Sequence, residues 1–463
     1  DDVEGQRLVG AGLSLLALDP AVRAALATGE PGRLPGSAPP LLLALLERTI
    51  VAERQWERVL TRLRAALLAD FRSLDDPRAP LVRALAAQML ATDYAYAVSE
   101  AEAATVAGLS TDGADLSADL VRRALYVPLG SDAVGTEAPP DWTAFVERHI
   151  RRPAAERTAA AAIPSLTDVE DAVSQAVQAQ YTALPYPRWL ATRATEPRPR
   201  LAVLRAILPE AARPAGLRDP KPLRVLVAGC GTGKHAVDVA TRFADADVLA
   251  IDLSRPSLGY ARAQAERLGI ANVRFAQADI LRLGEIRERF DHIEAMGVLH
   301  HLGEPLAGWR VLAELLTAGG TMRVGLYARR GRAAIQTAQR LAADFGTDAD
   351  GLRALRQAIL ALPPDHPAAA VAEELDFYTL NGVRDALAHA QEHDFTPREL
   401  QALLADLKFA FLGFETVSQE PQRLYRTAFP DDPTLADLAN WDALEQQHPS
   451  LFHHMYQFWC RKP

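Results

Sequence analysis

Across residues 41–68 apolar side chains recur every three or four positions, in LLLALLERTIVAERQWERVLTRLRAALL, the spacing of one face of an α-helix. The same Ala-, Leu- and Arg-rich texture runs to about residue 165, is punctuated by Gly/Pro clusters such as PGRLPGSAPP, and shows no fixed repeat period. It predicts an N-terminal all-helical domain over residues 1–165. A further helix is expected in SLTDVEDAVSQAVQAQY, opened by Thr167 and Glu170 at capping-box spacing and closed by the two prolines of TALPYPRWL. A Pro-rich connection, EPRPR through RPAGLRDPKP, completes a linking region over 166–222. From Leu223 the pattern changes to short β-branched runs alternating with helical stretches, which predicts a parallel sheet with helical crossovers in an α/β domain over 223–463. LRVLVAG, DVLAID, NVRFAQAD, FDHIEAMG and GTMRVGLYA are its first five strands, with FAFLGFETV and QRLYRTAF as late ones. Ser254 caps a helix that ends at Gly269, and Gly319-Gly320 turns the chain into the fifth strand. Residues 331–395 are helical and interrupt the sheet as an insertion expected to cover its site.

Composition narrows the classes. The chain has 463 residues, 49% hydrophobic and 24% charged, enough for two or three domains with real cores. A formal charge of −9 disfavours nucleic acid and anionic membranes, which are bound through clustered Lys and Arg. Only Cys230 and Cys460 are present, so neither a disulfide framework nor a cysteine zinc site is expected. The aliphatic run Leu41–Leu46 is far short of a bilayer span, and no basic-then-apolar leader opens the chain, so a cytoplasmic protein is expected. The chain opens on Asp1 rather than Met, and native residues are expected to precede it.

The stretch VLVAGCGTGKHA, residues 225–236, carries the chemistry. It fails as a phosphate-binding P-loop, because Ala228 stands where the first glycine belongs and His235 where the magnesium-binding hydroxyl belongs. It fails as a dinucleotide fingerprint, because Lys234 occupies the third glycine position. What remains is Gly229, Gly231 and Gly233 between a strand and a helix, with Asp252 closing the next strand 21 positions after Gly231. That acid is placed to accept the hydroxyls of a ribose, with no cradle for a pyrophosphate. Asp279 closes the third strand, where it would accept from an adenine amino group.

In VAGCGTG, AIDLS, AQADI, FDHIEAMGVLHHL and GGTMRVGLY, in order over Leu223–Ala328, the chain resembles the class I S-adenosylmethionine-dependent methyltransferases. QYTALPYPRWL, HAQEHDFT and MYQFWC further resemble bacterial members in which this module follows a helical or tetratricopeptide-type region. The resemblance implies a Rossmann-like sheet and S-adenosyl-L-methionine as cofactor, with S-adenosyl-L-homocysteine as product. It puts Gly229, Cys230, Gly231 and Gly233 against the methionine part, Asp252 on the ribose, Leu253 beneath the adenine, Asp279 and Ile280 at its edge, and Met296 and Gly297 near the sulfonium.

Methyl transfer chiefly needs a nucleophile held in line with the methyl group and water excluded. His300 and His301, after the fourth strand, are candidate bases, with buried structural histidines as the other reading. Glu294 would orient an amine or guanidinium, with holding the ligand's ammonium or facing solvent as the other readings; Tyr327 closes the fifth strand near the crevice, with a core or rim role as the other reading. The fourth strand ends in EAMGVL and lacks the Asn/Asp-Pro-Pro-aromatic motif of nucleobase amino-methylation. Tyr181 and Arg188, in the segment before the module, would reach over the site, Arg188 to a carboxylate; an aromatic-proline corner is the alternative. His389 and His393 share metal-ligand spacing on an expected helix but lack the adjacent Glu and a third ligand, so no metal is expected. Phe452, Met455, Tyr456 and Trp459 read as a helical packing stripe. The expected reaction is transfer to nitrogen or oxygen of a small molecule. Methylation of a protein or peptide side chain, and a non-catalytic cofactor-binding scaffold, are the alternatives.

Overall fold

The structure, a computed structural model, describes residues 9–14, 39–111, 115–130, 138–192, 195–214, 216–217, 219–416 and 418–463. Residues 31–38 of the Gly/Pro cluster and positions 215 and 218 of the Pro-rich connection lie outside the described residues. The chain divides into two compact units. One draws on residues up to Ala155, Arg188–Leu190 and Ala334–Ala388; the other on Glu156–Pro187, Ala191–Ala333 and His389–Pro463.

The first unit is helical. Helices α1 (Pro40–Arg48), α2 (Arg54–Asp70) and α3 (Ala79–Ala91) contribute to one apolar core. In α2 the buried side chains Trp56, Val59, Leu60, Leu63, Leu67 and Leu68 follow the three-and-four spacing visible in the sequence. The core also encloses charge. Arg356, on the late helix Ala349–Leu360, is fully buried and paired with Glu57 of α2 through two bonds of 3.0 and 2.7 Å, and donates to the carbonyls of Phe377 and Ala95. The same helix buries Leu352, Leu355 and Ile359. Most of the expected insertion over 331–395 therefore belongs to the helical unit rather than to the sheet domain. A buried guanidinium without its carboxylate would be costly, so this pairing decides where the segment packs.

The second unit is built on a seven-stranded sheet: β1 (Leu223–Ala228), β2 (Ala246–Asp252), β3 (Val273–Gln277), β4 (Phe290–Met296), β5 (Leu316–Tyr327), β6 (Ala410–Phe414) and β7 (Met455–Arg461). Its order is β3-β2-β1-β4-β5-β7-β6, parallel from β3 to β5, with β7 inserted antiparallel between β5 and β6. The reversal of strand order beside β1 opens a crevice at the carboxyl ends of β1 and β4, where such sheets bind ligands. Helices α4 (Ala172–Ala183), α5 (Lys234–Arg242), α6 (Arg255–Arg267) and α7 (Pro305–Leu315) belong to this unit. Ser254 caps α6 by accepting from the Ser257 amide, as the sequence predicts.

Four local expectations are corrected. QRLYRTAF lies in the helix Glu420–Ala428, where Pro421 and Tyr425 are buried one turn apart. MYQFWC is strand β7: Tyr456, Phe458 and Cys460 enter the main core, while Trp459 on the other face stacks on His292 at 5.0 Å. With both faces covered, the period of two is masked in the sequence. His389–His393 is irregular chain with a bend at Ala390, between the helices Leu380–Leu387 and Pro397–Asp406, not a helix face. Helix α4 starts at Ala172 under Asp171, not in the Thr167–Glu170 box; the Thr167 hydroxyl instead accepts from the Asp279 amide at 2.8 Å.

Candidate functional site

The turn after β1 is shaped by three left-handed glycines, Gly229 (φ 68°), Gly231 (52°) and Gly233 (84°), the last serving as N-cap of α5. A Cβ at Gly231 would come 2.6 Å from the Tyr186 carbonyl oxygen and one at Gly233 2.4 Å from Ala261 Cβ, so neighbouring chain closes on the turn. The Thr232 hydroxyl donates to the Pro187 carbonyl from the same side. Cys230 is buried, its amide bonded to the Ile251 carbonyl at 2.9 Å, and burial pushes its thiol well above its usual range.

Asp252, at the end of β2, accepts from the Gly231 amide at 2.8 Å and the Ser254 amide at 2.9 Å. Burial raises its carboxyl above the ordinary value, opposed by those amide bonds. Each oxygen holds one bond and retains a lone pair for a further donor. The Leu253 carbonyl is held by the side-chain amides of Gln178 and Gln277, at 3.0 and 3.1 Å. Asp279 is 1% exposed; its Oδ1 accepts from the Leu281 amide, and Oδ2 is buried without a hydrogen-bond partner. An orphaned buried carboxylate oxygen calls for a donor from outside the chain. Ile280 is buried beside it. These groups fit a ligand with ribose hydroxyls and an adenine amino group. Met296 ends β4, and Gly297 follows at φ 71°, with nothing nearer to an added Cβ than Met455 Cε at 3.8 Å.

After Gly297 the short turn Leu299–His301 delivers two buried histidines into an aromatic cluster. His300 stacks on Tyr327 with ring centroids 3.7 Å apart, and the Arg332 guanidinium covers the same tyrosine at 3.5 Å. His301 stacks on His389 at 3.6 Å, and His389 Nε2 lies 3.1 Å from the Tyr181 hydroxyl. The backbone of Gln391 fixes both tautomers. Its amide donates to His389 Nδ1 and its carbonyl accepts from His301 Nδ1, so neutral His301 keeps Nε2 as an acceptor. Both ring nitrogens of His300 are buried and without a hydrogen-bond partner. Burial, then the Arg332 charge, holds the His300 imidazole well below its usual range; burial, then His300, does the same for His301.

Two candidates stand elsewhere. Glu294 is fully buried, bonded by His235 at 2.6 Å, Arg323 at 3.1 Å and His292 at 3.3 Å, with Arg242 at 3.6 Å. Burial opposes its ionisation, but the charges of His235 and Arg323 outweigh it and hold the carboxyl well below its usual range. Its oxygens are engaged within the protein, so it is not the substrate-orienting carboxylate the sequence suggests. Arg188 pairs with Asp93 within the helical unit, Nε to Oδ1 3.2 Å. Sequence reasoning missed Arg332 and His235 and gave His389 the wrong setting. Each acts through partners distant in sequence, and the sole local signal for Arg332 is the arginine-rich YARRGR after β5.

A glycine turn after β1, acids closing β2 and β3, and an antiparallel β7 inside the sheet define a class I cofactor-binding module of the methyltransferase type. Residues 225–320 match the model of a methyltransferase domain. The chain is 29% identical over 312 residues to an uncharacterised protein of Synechococcus sp., covering 61% of this chain and 71% of that one. It is 33% identical over 172 residues to trans-aconitate 2-methyltransferase of Deinococcus radiodurans, covering 36% of this chain and 64%, less than two thirds, of that enzyme. Among solved structures, PKMT2 from Rickettsia typhi in complex with AdoHcy aligns with a TM-score of 0.46 at 18% identity, over 60% of this chain and 55% of that one. Among the described residues no helix is long and apolar enough to cross a membrane.

Proposed function

We propose that the protein transfers a methyl group to an oxygen or nitrogen nucleophile of a small molecule, with His300 accepting the nucleophile's proton. The carrying observation is the His300 ring, fully buried, stacked on Tyr327 and with neither nitrogen bonded. When bound, S-adenosylmethionine supplies the methyl group on a sulfonium and leaves as the neutral thioether. The turn residues Gly229, Gly231 and Gly233, with Asp252 and Asp279, would hold it at the carboxyl ends of the strands. Held neutral by burial, His300 has a lone pair available at physiological pH, and the proton leaving a hydroxyl or ammonium nucleophile would end on its ring. Tyr327 fixes the plane of that ring, and His301 and His389 wall the same space. Walls this dry suit a substrate small enough to be enclosed, and they exclude water from the transfer.

The test has two stages. Calorimetry of S-adenosylhomocysteine against wild type and Asp252→Ala should show binding weakened at least about tenfold in the variant, the loss expected for a hydrogen-bonded charged acceptor. Methyl-labelled cofactor in a lysate should then label small molecules, and His300→Ala should slow that labelling while leaving homocysteine-product binding intact. Label confined to protein would replace this reading with the side-chain one, and binding with no transfer at all would replace it with a scaffold.

A further inference from the structure

We propose that the substrate carries a carboxylate, which Arg332 takes, so that this site methylates small organic acids at a hydroxyl or amine distant from the acid group; this rests on the small-molecule reading above. Arg332 is 3% exposed, yet it is not consumed by its partners. Both bonds to Glu392, at 2.9 and 3.0 Å, leave from Nη2 alone. Among the described residues, Nε and Nη1 donate no hydrogen bond and neither is fully buried, so three N–H groups stay open to solvent or to a ligand. Glu392 balances the charge of the guanidinium but leaves those donors open, and a second carboxylate reaching them would gain charge-assisted hydrogen bonds.

The placement of Arg332 relates it to the chemistry. Its guanidinium lies 3.5 Å from the Tyr327 ring centroid, and the His300 ring lies 3.7 Å from the same centroid. Two flat groups that close to one centroid cannot share a face, so tyrosine is sandwiched between histidine and arginine. The proton acceptor and the anion donor then stand about 7 Å apart along one stack, the sum of two ring-stacking distances. The Tyr327 ring fills that gap, so a hydroxy or amino acid that joins the two groups passes round the edge of the ring, with its acid on Arg332 and its nucleophile at His300. Tyr327 sets the separation, and the Arg332 charge beside His300 further disfavours protonation of the empty imidazole. A substrate carboxylate would offset that charge and make His300 a better proton acceptor at the moment it is needed.

The experiment separates a metabolite extract by ion exchange into anionic, neutral and cationic pools and incubates each with the protein and methyl-labelled S-adenosylmethionine. Label is expected in the anionic pool. On the labelled acid, Arg332→Met should raise KM at least about tenfold with a smaller change in kcat and unchanged S-adenosylhomocysteine binding, and Arg332→Lys should recover part of the loss. Glu392→Gln removes the competing carboxylate and should lower KM for the acid, a result a purely structural ion pair would not give. Should Arg332→Met fail to fold, the Lys and Gln variants decide alone. Label in the neutral or cationic pool, or a KM indifferent to these substitutions, overturns the proposal while leaving the small-molecule reading in place. No label in any pool, with the product still bound, overturns both.

Discussion

At the scale of single residues, two aspartates show how placement divides the work of a carboxylate. Asp279 spends one oxygen on the turn after β3 and leaves the other bare. Asp279→Asn keeps an oxygen for the Leu281 amide but points an N–H₂ at the cofactor's amino donor; S-adenosylhomocysteine affinity should fall about tenfold, measured by calorimetry, with little change in melting temperature. Asp93, in the helical unit, is pushed up to about 6 by burial, against the pull of Arg188. Its folded value lies above the unfolded value of about 3.9, so its stabilising contribution is full at acid pH and is lost as pH rises through 6. Asp93→Asn should therefore gain stability relative to wild type between pH 5 and pH 7.5, read as a difference in thermal midpoints. The glycines and acids of the cofactor turn were legible because strand, turn and acid fall within a few dozen residues. Arg332, His235 and the true partner of Arg188 were not, because their roles are set by Glu392, Glu294 and Asp93, and no local spacing announces a contact that far along the chain.

At the scale of elements, the sheet carries a polar seam. Glu294 on β4 gathers His235 from the first turn of α5, His292 from its own strand and Arg323 from β5, and Arg323 continues to Glu415 at 2.7 Å and to Gln457 of β7 at 2.9 Å. The seam ties the helix that opens at Gly233 to the middle of the sheet. Removing its centre takes one of two carboxylates from the buried Arg323 and the hydrogen-bond partner from His235 and His292, and Glu294→Ala should cost about 3 kcal/mol in chemical denaturation. A catalytic role would instead predict lost turnover in a protein of unchanged stability. The five parallel strands are readable from β-branched runs, whereas β7 reads as a helical stripe because both its faces are covered. The segment His389–His393 likewise reads as a helix, because its i, i+4 histidines suit one, but Gln391 uses its backbone on the two stacked rings instead.

For the whole molecule, the sequence marks where helical texture ends and strands begin, but not that Ala334–Ala388 returns to the first unit. That return is carried by the Arg356–Glu57 pair and by Leu352, Leu355 and Ile359, none of which differs in kind from residues that would cover a sheet. Residues 156–463 expressed alone should expose that apolar stripe and strand Arg356 without its acid; light scattering and dye binding should find the fragment aggregated or loosely packed, whereas an independent sheet domain would be monomeric and melt cooperatively. The same arrangement constrains synthesis on the ribosome. The N-terminal helices emerge first, yet the counter-ion of Glu57 follows 299 residues later, after most of the sheet has been translated. At ordinary elongation rates of roughly 5–20 residues per second, the first unit waits tens of seconds with an unmatched carboxylate in its core. Its completion is thus a late event in the life of the nascent chain, and the half-built helical core is where a chaperone would be needed.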